Sequence, residues 1–190
     1  MKTKVGIFLF DGVETLDFSG PFEVFSSAKI NDELAFEVFT LAQEKCMIQS
    51  YGGLKTQVDF SIDAHPKLDL LIIPGGYGVD KINLDLIGPW LHQLHEQKTI
   101  LASVCTGAFI LAQSKLLNGL QATTHFEDVD ILERDFPEIQ VVKNVRFVNN
   151  GQIMCSAGIS AGIDLSLFLV EQFKGKKSAE KCRKRMEWNS

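Results

Sequence analysis

The sequence lacks paired cysteines. Its four, Cys46, Cys105, Cys155 and Cys182, form no C-x-x-C pair and have no zinc-finger spacing, so they read as free thiols in a reducing compartment. Positive charge is not in excess either. The formal net charge is −5, which argues against a sequence-independent nucleic-acid binder, since phosphate binding needs concentrated positive charge. Long apolar runs are missing too. Val5–Phe10 is broken at once by Asp11 and Gly12, too short for a signal-peptide core or a membrane span. A cytoplasmic protein with no nucleic-acid or membrane partner is expected. No repeat, low-complexity tract or linker divides the 190 residues, so one domain is expected; 45% hydrophobic and 23% charged residues fit an ordinary globular core.

What is present is an alternation of strand and helix. Val5–Phe10, Leu68–Ile73 and Thr99–Val104 are apolar runs expected of strands buried on both faces. Phe36–Leu41 alternates. Gln121–Thr124, Gln140–Val142, Arg146–Val148 and Gln152–Cys155 complete the strands, with Asn149-Asn150-Gly151 as a hairpin turn before the last. Helices are expected over Phe22–Lys29 after Pro21, Leu84–Glu96, Thr106–Gln113, Phe126–Arg134, and from an N-cap at Ser160 through Phe173. The basic tail, Lys174–Arg185, reads as a solvated C-terminal helix. Strands separated by helices imply an α/β fold with a mostly parallel sheet covered on both faces.

Cys105 stands where a strand runs into a helix, in Ala102-Ser103-Val104-Cys105-Thr106-Gly107-Ala108-Phe109. This is the pattern of a nucleophile elbow, in which a sharp turn pushes one side chain into the open. Gly107 and Ala108 let the helix pack close behind. A thiol at a helix N-terminus is expected to have a lowered pKa. The bland alternative is a small buried hydrophobe. A second turn, Ile73-Pro74-Gly75-Gly76, ends another strand. The N–H groups of Gly75 or Gly76 are candidates for stabilising developing negative charge, unless the segment is simply a turn.

A reactive thiol needs a proton partner. Asp17 is the first candidate, flanked by apolar residues that would raise its pKa; it could equally be an acid at a helix start. Glu14 is an alternative. His125, in Ala122-Thr123-Thr124-His125-Phe126, is the second candidate, though spacing alone does not bring it to Cys105. Phe18, Tyr77, Phe109 and Phe126 are expected near the site and suggest a small, mostly apolar ligand. No grouping of His, Cys and carboxylates has metal spacing, and no cofactor is expected.

The stretches Phe10–Phe25 (FDGVETLDFSGPFEVF), Gly52-Gly53, Leu68–Gly76 (LDLLIIPGG), Ala102–Ala112 (ASVCTGAFILA), Ala122–Phe126 (ATTHF) and Ser156–Leu167 (SAGISAGIDLSL) together resemble the ThiJ/PfpI superfamily over nearly the whole chain. The resemblance is nearest to its isonitrile hydratase-like branch, which is similar in turn to the sensing domains of AraC-type regulators. It implies a flavodoxin-like, class I glutamine amidotransferase-like three-layer sandwich and a homodimer. It also implies Cys105 as nucleophile, with Asp17 and Thr106 as its essential neighbours. Thr106 stands where the protease-like branch has histidine, which turns the expectation from peptide cleavage to hydration of a small molecule. A glyoxalase- or deglycase-like activity on small dicarbonyls, and a non-catalytic thiol or ligand sensor, are the competing expectations.

Overall fold

The three most apolar strands lie side by side at the centre of one sheet, where both faces are covered and a polar side chain would have no partner. The structure, a computed structural model, describes residues 2–189. The sheet has seven strands: Thr3–Phe8 (β1), Phe36–Ala42 (β2), Phe60–Ser61 (β3), Leu70–Ile73 (β4), Ile100–Val104 (β5), Phe147–Asn149 (β6) and Ile153–Ser156 (β7). Their order is β6-β7-β5-β4-β1-β2-β3. All neighbours are parallel except β6 and β7, the hairpin that closes one edge. Every residue of β4 is buried; each of its Leu and Ile side chains contributes roughly 1.5–3 kcal/mol by leaving water.

The helices are Thr15–Ser27 (α1), Leu84–Glu96 (α2), Gly107–Gln113 (α3), Val129–Asp135 (α4), Ala161–Lys174 (α5) and Lys176–Arg185 (α6). Helix α5 packs against α1 and α6, and α2 packs against α3, so the sheet is sandwiched between two helical layers. Among the described residues no helix is long and apolar enough to cross a membrane.

Several local expectations are corrected. Helix α1 begins six residues before Pro21, which lies inside it. The start is fixed by Glu14, whose side chain accepts the Thr15 N–H at 3.1 Å, and this puts Asp17 in the first turn. Ser160 does not cap α5 with its side chain; its Oγ accepts instead from Arg146. Gln121–Ala122 and Gln140–Val141 pair with each other in parallel, outside the main sheet. The basic tail is not wholly solvated: Gly175, at φ 82°, breaks it from α5, and α6 buries Ser178, Ala179 and Cys182.

Candidate active site

The parallel strands β1, β4 and β5 end at the same edge of the sheet, and the loops leaving them build the site. At the end of β5 the chain turns at Cys105 into α3. Cys105 has φ 55°, a conformation that costs a non-glycine residue on the order of 1–3 kcal/mol and has to be held in place. Its N–H donates to the carbonyls of Ser156 and Ala157, at 3.2 and 3.3 Å, where β7 ends. Its own carbonyl accepts from Thr124 Oγ1 at 2.8 Å. Behind the turn a Cβ on Gly107 would run into the Ile73 carbonyl oxygen. The elbow expected from the sequence is present. Cys105 is only 7% exposed, but it faces a cavity of about 520 Å³.

Asp17 lies under this floor with no exposure at all. Its Oδ2 accepts the Gly75 N–H at 3.0 Å. The carboxyl also reaches the Cys105 thiol, yet Oδ1 has no partner at full hydrogen-bond geometry. The two observations describe a carboxyl–thiol contact that is close but not aligned. Burial pushes Asp17 up to about 7, against the lowering effect of the Gly75 N–H and the Cys105 contact; the charge of Glu14 adds to the rise.

The expected low thiol pKa is corrected. Burial, followed by the negative charge of Asp17, pushes the Cys105 thiol up to about 12. The N–H groups of Thr106 and Ile159 pull the other way, favouring the thiolate, but α3 has only seven residues and its dipole is short. Above pH 7 the pair therefore rests as thiol and carboxylate. Asp17 is then the group placed to take the proton when the sulfur attacks.

The second turn does different work from that expected. The Gly75 N–H is bound to Asp17, and the Gly76 N–H donates to Thr106 Oγ1 at 2.9 Å. Neither is free to hold an oxyanion, and Gly75 does not line the cavity. The N–H groups directed at the sulfur are those of Thr106 and Ile159. The glycines are needed for close approach: a Cβ on Gly75 would sit on Thr106, and one on Gly76 on the backbone of Gly12 to Glu14. The Thr106 hydroxyl thus ties the two loops together. Replacing Thr106 by Val leaves the half-buried Gly76 N–H without this acceptor, and a loss of about 1 kcal/mol is expected in thermal melts; Thr106→Ser retains the bond and most of the stability.

His125 does line the cavity. Its Nδ1 accepts from the Glu127 N–H at 3.4 Å, with the Glu127 and Asp128 carboxylates at 3.6 and 3.7 Å. Its ring lies on Gly158, where a Cβ would collide with it. No bond joins it to Cys105, so the structure brings Asp17, not His125, to the sulfur. Glu14 lines the cavity on the side of α1. Tyr77 and Phe109 also line it; Phe18 is buried in the core, and Phe126 is 78% exposed. Sequence reasoning missed Ile159, whose φ of 45° in a β-branched residue turns its N–H to the sulfur. It also missed Asp80, Glu127 and Asp128 as lining residues. Cys155 and Cys182 are buried elsewhere and Cys46 is exposed. Among the described residues no three His, Cys, Asp or Glu side chains converge so as to hold a metal ion.

Fold and site together define an α/β protein with a cysteine at a strand–helix elbow and a buried acid beneath it. The sequence pattern of the DJ-1/PfpI family matches residues 3–172, and the chain belongs to that family. It is 30% identical to an isonitrile hydratase of Pseudomonas putida over 194 residues, covering 99% of this chain and 79% of that protein. It is 31% identical over 124 residues to the HTH-type transcriptional regulator CdhR of Pseudomonas aeruginosa, but that match covers 65% of this chain and 37% of the regulator. The crystal structure of Drosophila melanogaster DJ-1beta shares the fold, with a TM-score of 0.88 at 18% identity and all of both chains covered.

Proposed function

We propose that this protein hydrates an isonitrile to an N-substituted formamide by covalent catalysis at Cys105. The observation that carries the reading is the Asp17 carboxyl, wholly buried and in contact with a thiol that faces a cavity. The 30% identity to an isonitrile hydratase supports the choice of reaction.

The steps use groups already described. The Cys105 sulfur attacks the terminal isonitrile carbon while Asp17 takes the thiol proton. That proton is returned to the same carbon, giving a thioimidate, R–N=CH–S–Cys. Water adds across the C=N bond, and the tetrahedral adduct collapses: the C–S bond breaks, the formamide leaves, and the thiol regains its proton. Thr106 and Ile159 N–H groups at the sulfur favour the negative charge it carries as it is expelled. No cofactor enters. The protein is proposed to work in the cytoplasm on a small molecule and as a homodimer.

The test is conversion of cyclohexyl isocyanide to N-cyclohexylformamide by the purified, reduced protein. An adduct on the Cys105 peptide equal in mass to the whole substrate should be trapped on acid quenching. Absence of formamide with Cys105 verified as reduced would overturn the reaction. Release of lactate from methylglyoxal would favour the dicarbonyl alternative instead.

A further inference from the structure

The charges around the cavity are all of one sign. Four carboxylates line it, those of Glu14, Asp80, Glu127 and Asp128, and among the described residues no Lys or Arg does. Glu14 and Asp128 are half-buried, so water screens them less than it screens the exposed Asp80 and Glu127. The nearby cations are turned elsewhere. Lys143 is bound to Asp130 and Glu133, at 2.7 and 2.8 Å. Arg146 is bound to Asp164. Lys81 borders a different depression, beside Phe10 and Cys46.

Two further observations point to a ligand rather than to a solvated acidic surface. The floor carries the nucleophile itself: Cys105 is only 7% exposed, yet it lines the cavity. The walls are aromatic: Tyr77 and Phe109 line the cavity, and Tyr77 is stacked on Tyr51 with ring centroids 4.1 Å apart. Ring faces attract organic cations. The Tyr77 hydroxyl is held above its ordinary pKa first by Tyr51, then by desolvation, with smaller contributions from the negative charges of Glu127 and Glu14.

We propose that the cavity over Cys105 selects small organic cations, accepts neutral molecules less well, and turns away carboxylates. A substrate of this class carries an ammonium group toward Tyr77, Glu14 and Glu127 while its reacting carbon sits on the sulfur. The inference rests on Cys105 being the nucleophile of the cavity, but not on which bond it makes. A cleft lined by one sign of charge concentrates the opposite sign and raises its rate of arrival about ten-fold or more.

The experiment compares three methanethiosulfonates of matched reactivity: a cationic 2-(trimethylammonio)ethyl, a neutral methyl and an anionic 2-sulfonatoethyl reagent. Each forms a mixed disulfide with the thiol and releases methanesulfinate. Rates at the Cys105 peptide are followed by mass spectrometry in a Cys46→Ser background and divided by each reagent's rate with a small free thiol. At low salt the cation is expected to exceed the anion by about ten-fold or more. The ratio should shrink at 1 M salt, where the screening length is about 3 Å, and in the Glu14→Gln/Glu127→Gln double variant. A ratio of one, or one that favours the anion, overturns the selection. A ratio that survives both salt and the double variant overturns its electrostatic origin. Failure of all three reagents to modify reduced Cys105 overturns the nucleophile itself, and the selection with it. An inactive hydration assay beside a ten-fold ratio removes only the reaction.

Discussion

Replacing Asp17 by Asn is expected to lower turnover by about 10²–10⁴-fold, the usual worth of a positioned acid–base group, and at the same time to make the protein more stable at pH 8. Both follow from burial. Asp17 is held at about 7 in the folded protein and returns to about 3.9 when unfolded. Between those values the folded state keeps a proton that the unfolded state gives up, so stability falls as pH rises through the window. The penalty is complete above pH 7. Three units correspond to about 4 kcal/mol, an upper bound. Asn carries no charge to desolvate, and its Oδ1 can still accept the Gly75 N–H. Thermal melts should show the wild type losing stability from pH 5 to pH 8 while Asp17→Asn stays level. The wild-type rate should fall on the acid side with a midpoint near 7, as the carboxylate that receives the thiol proton is lost. A variant no more stable than wild type at pH 8 would sink the account of a charged, desolvated acid.

Gly75→Ala is expected to be strongly damaging although it adds only one methyl group. The added Cβ would meet Thr106 Oγ1 and, at 2.5 and 3.0 Å, the backbone nitrogens of Thr106 and Gly107. These atoms belong to the elbow and cannot swing aside. Overpacking of this kind costs about 2–3 kcal/mol, or roughly 5–10 °C in Tm for a chain of this size. Forcing the loops apart also disturbs the bonds from Gly75 to Asp17 and from Gly76 to Thr106, so turnover should fall with stability. Gly88→Ala is the control. It lies in α2, where the nearest atom to an added Cβ is Ser114 Oγ at 3.6 Å; the helix should gain about 0.5–1 kcal/mol. Equal melting points for the two variants would show that the crowding at Gly75 is relieved.

The sequence made the frame legible where one signal dominated. Apolar runs became the central strands, and the expected hairpin turn joins β6 to β7, shifted by one residue to 150–152 because Asn149 pairs with Met154 as the last residue of β6. Cys105 was found because strand, thiol and small residues are contiguous. Boundaries set by competing local bonds were less legible. Pro21 suggested a helix start, but the Glu14 cap and the docking of α1 moved that start upstream. The N–H groups of the Pro-Gly-Gly turn looked available because a sequence does not say what lies opposite; Asp17 and Thr106 lie opposite. Ile159 carried no signal at all. Nothing in its residue type announces a positive φ, which the crossing of β7 into α5 imposes. The thiol pKa was misjudged because the short helix was visible in the sequence and the burial was not.

The bonds that make the elbow span long stretches of chain. Asp17 meets Gly75 across 58 residues, Thr106 meets Gly76 across 30, and Ser156 Oγ reaches the Ser103 carbonyl across 53. Closing such loops is entropically slow, and parallel pairings of this kind gather late during folding. A chain that has collapsed but not yet set β7 beside β5 lacks the carbonyls that fix the Cys105 turn. The thiol of such an intermediate is unshielded, and it reacts like any thiol on a loose chain. The change from indiscriminate to guarded reactivity at this one sulfur is therefore expected to report the docking of β7 beside β5 during refolding, a chemical clock for that event.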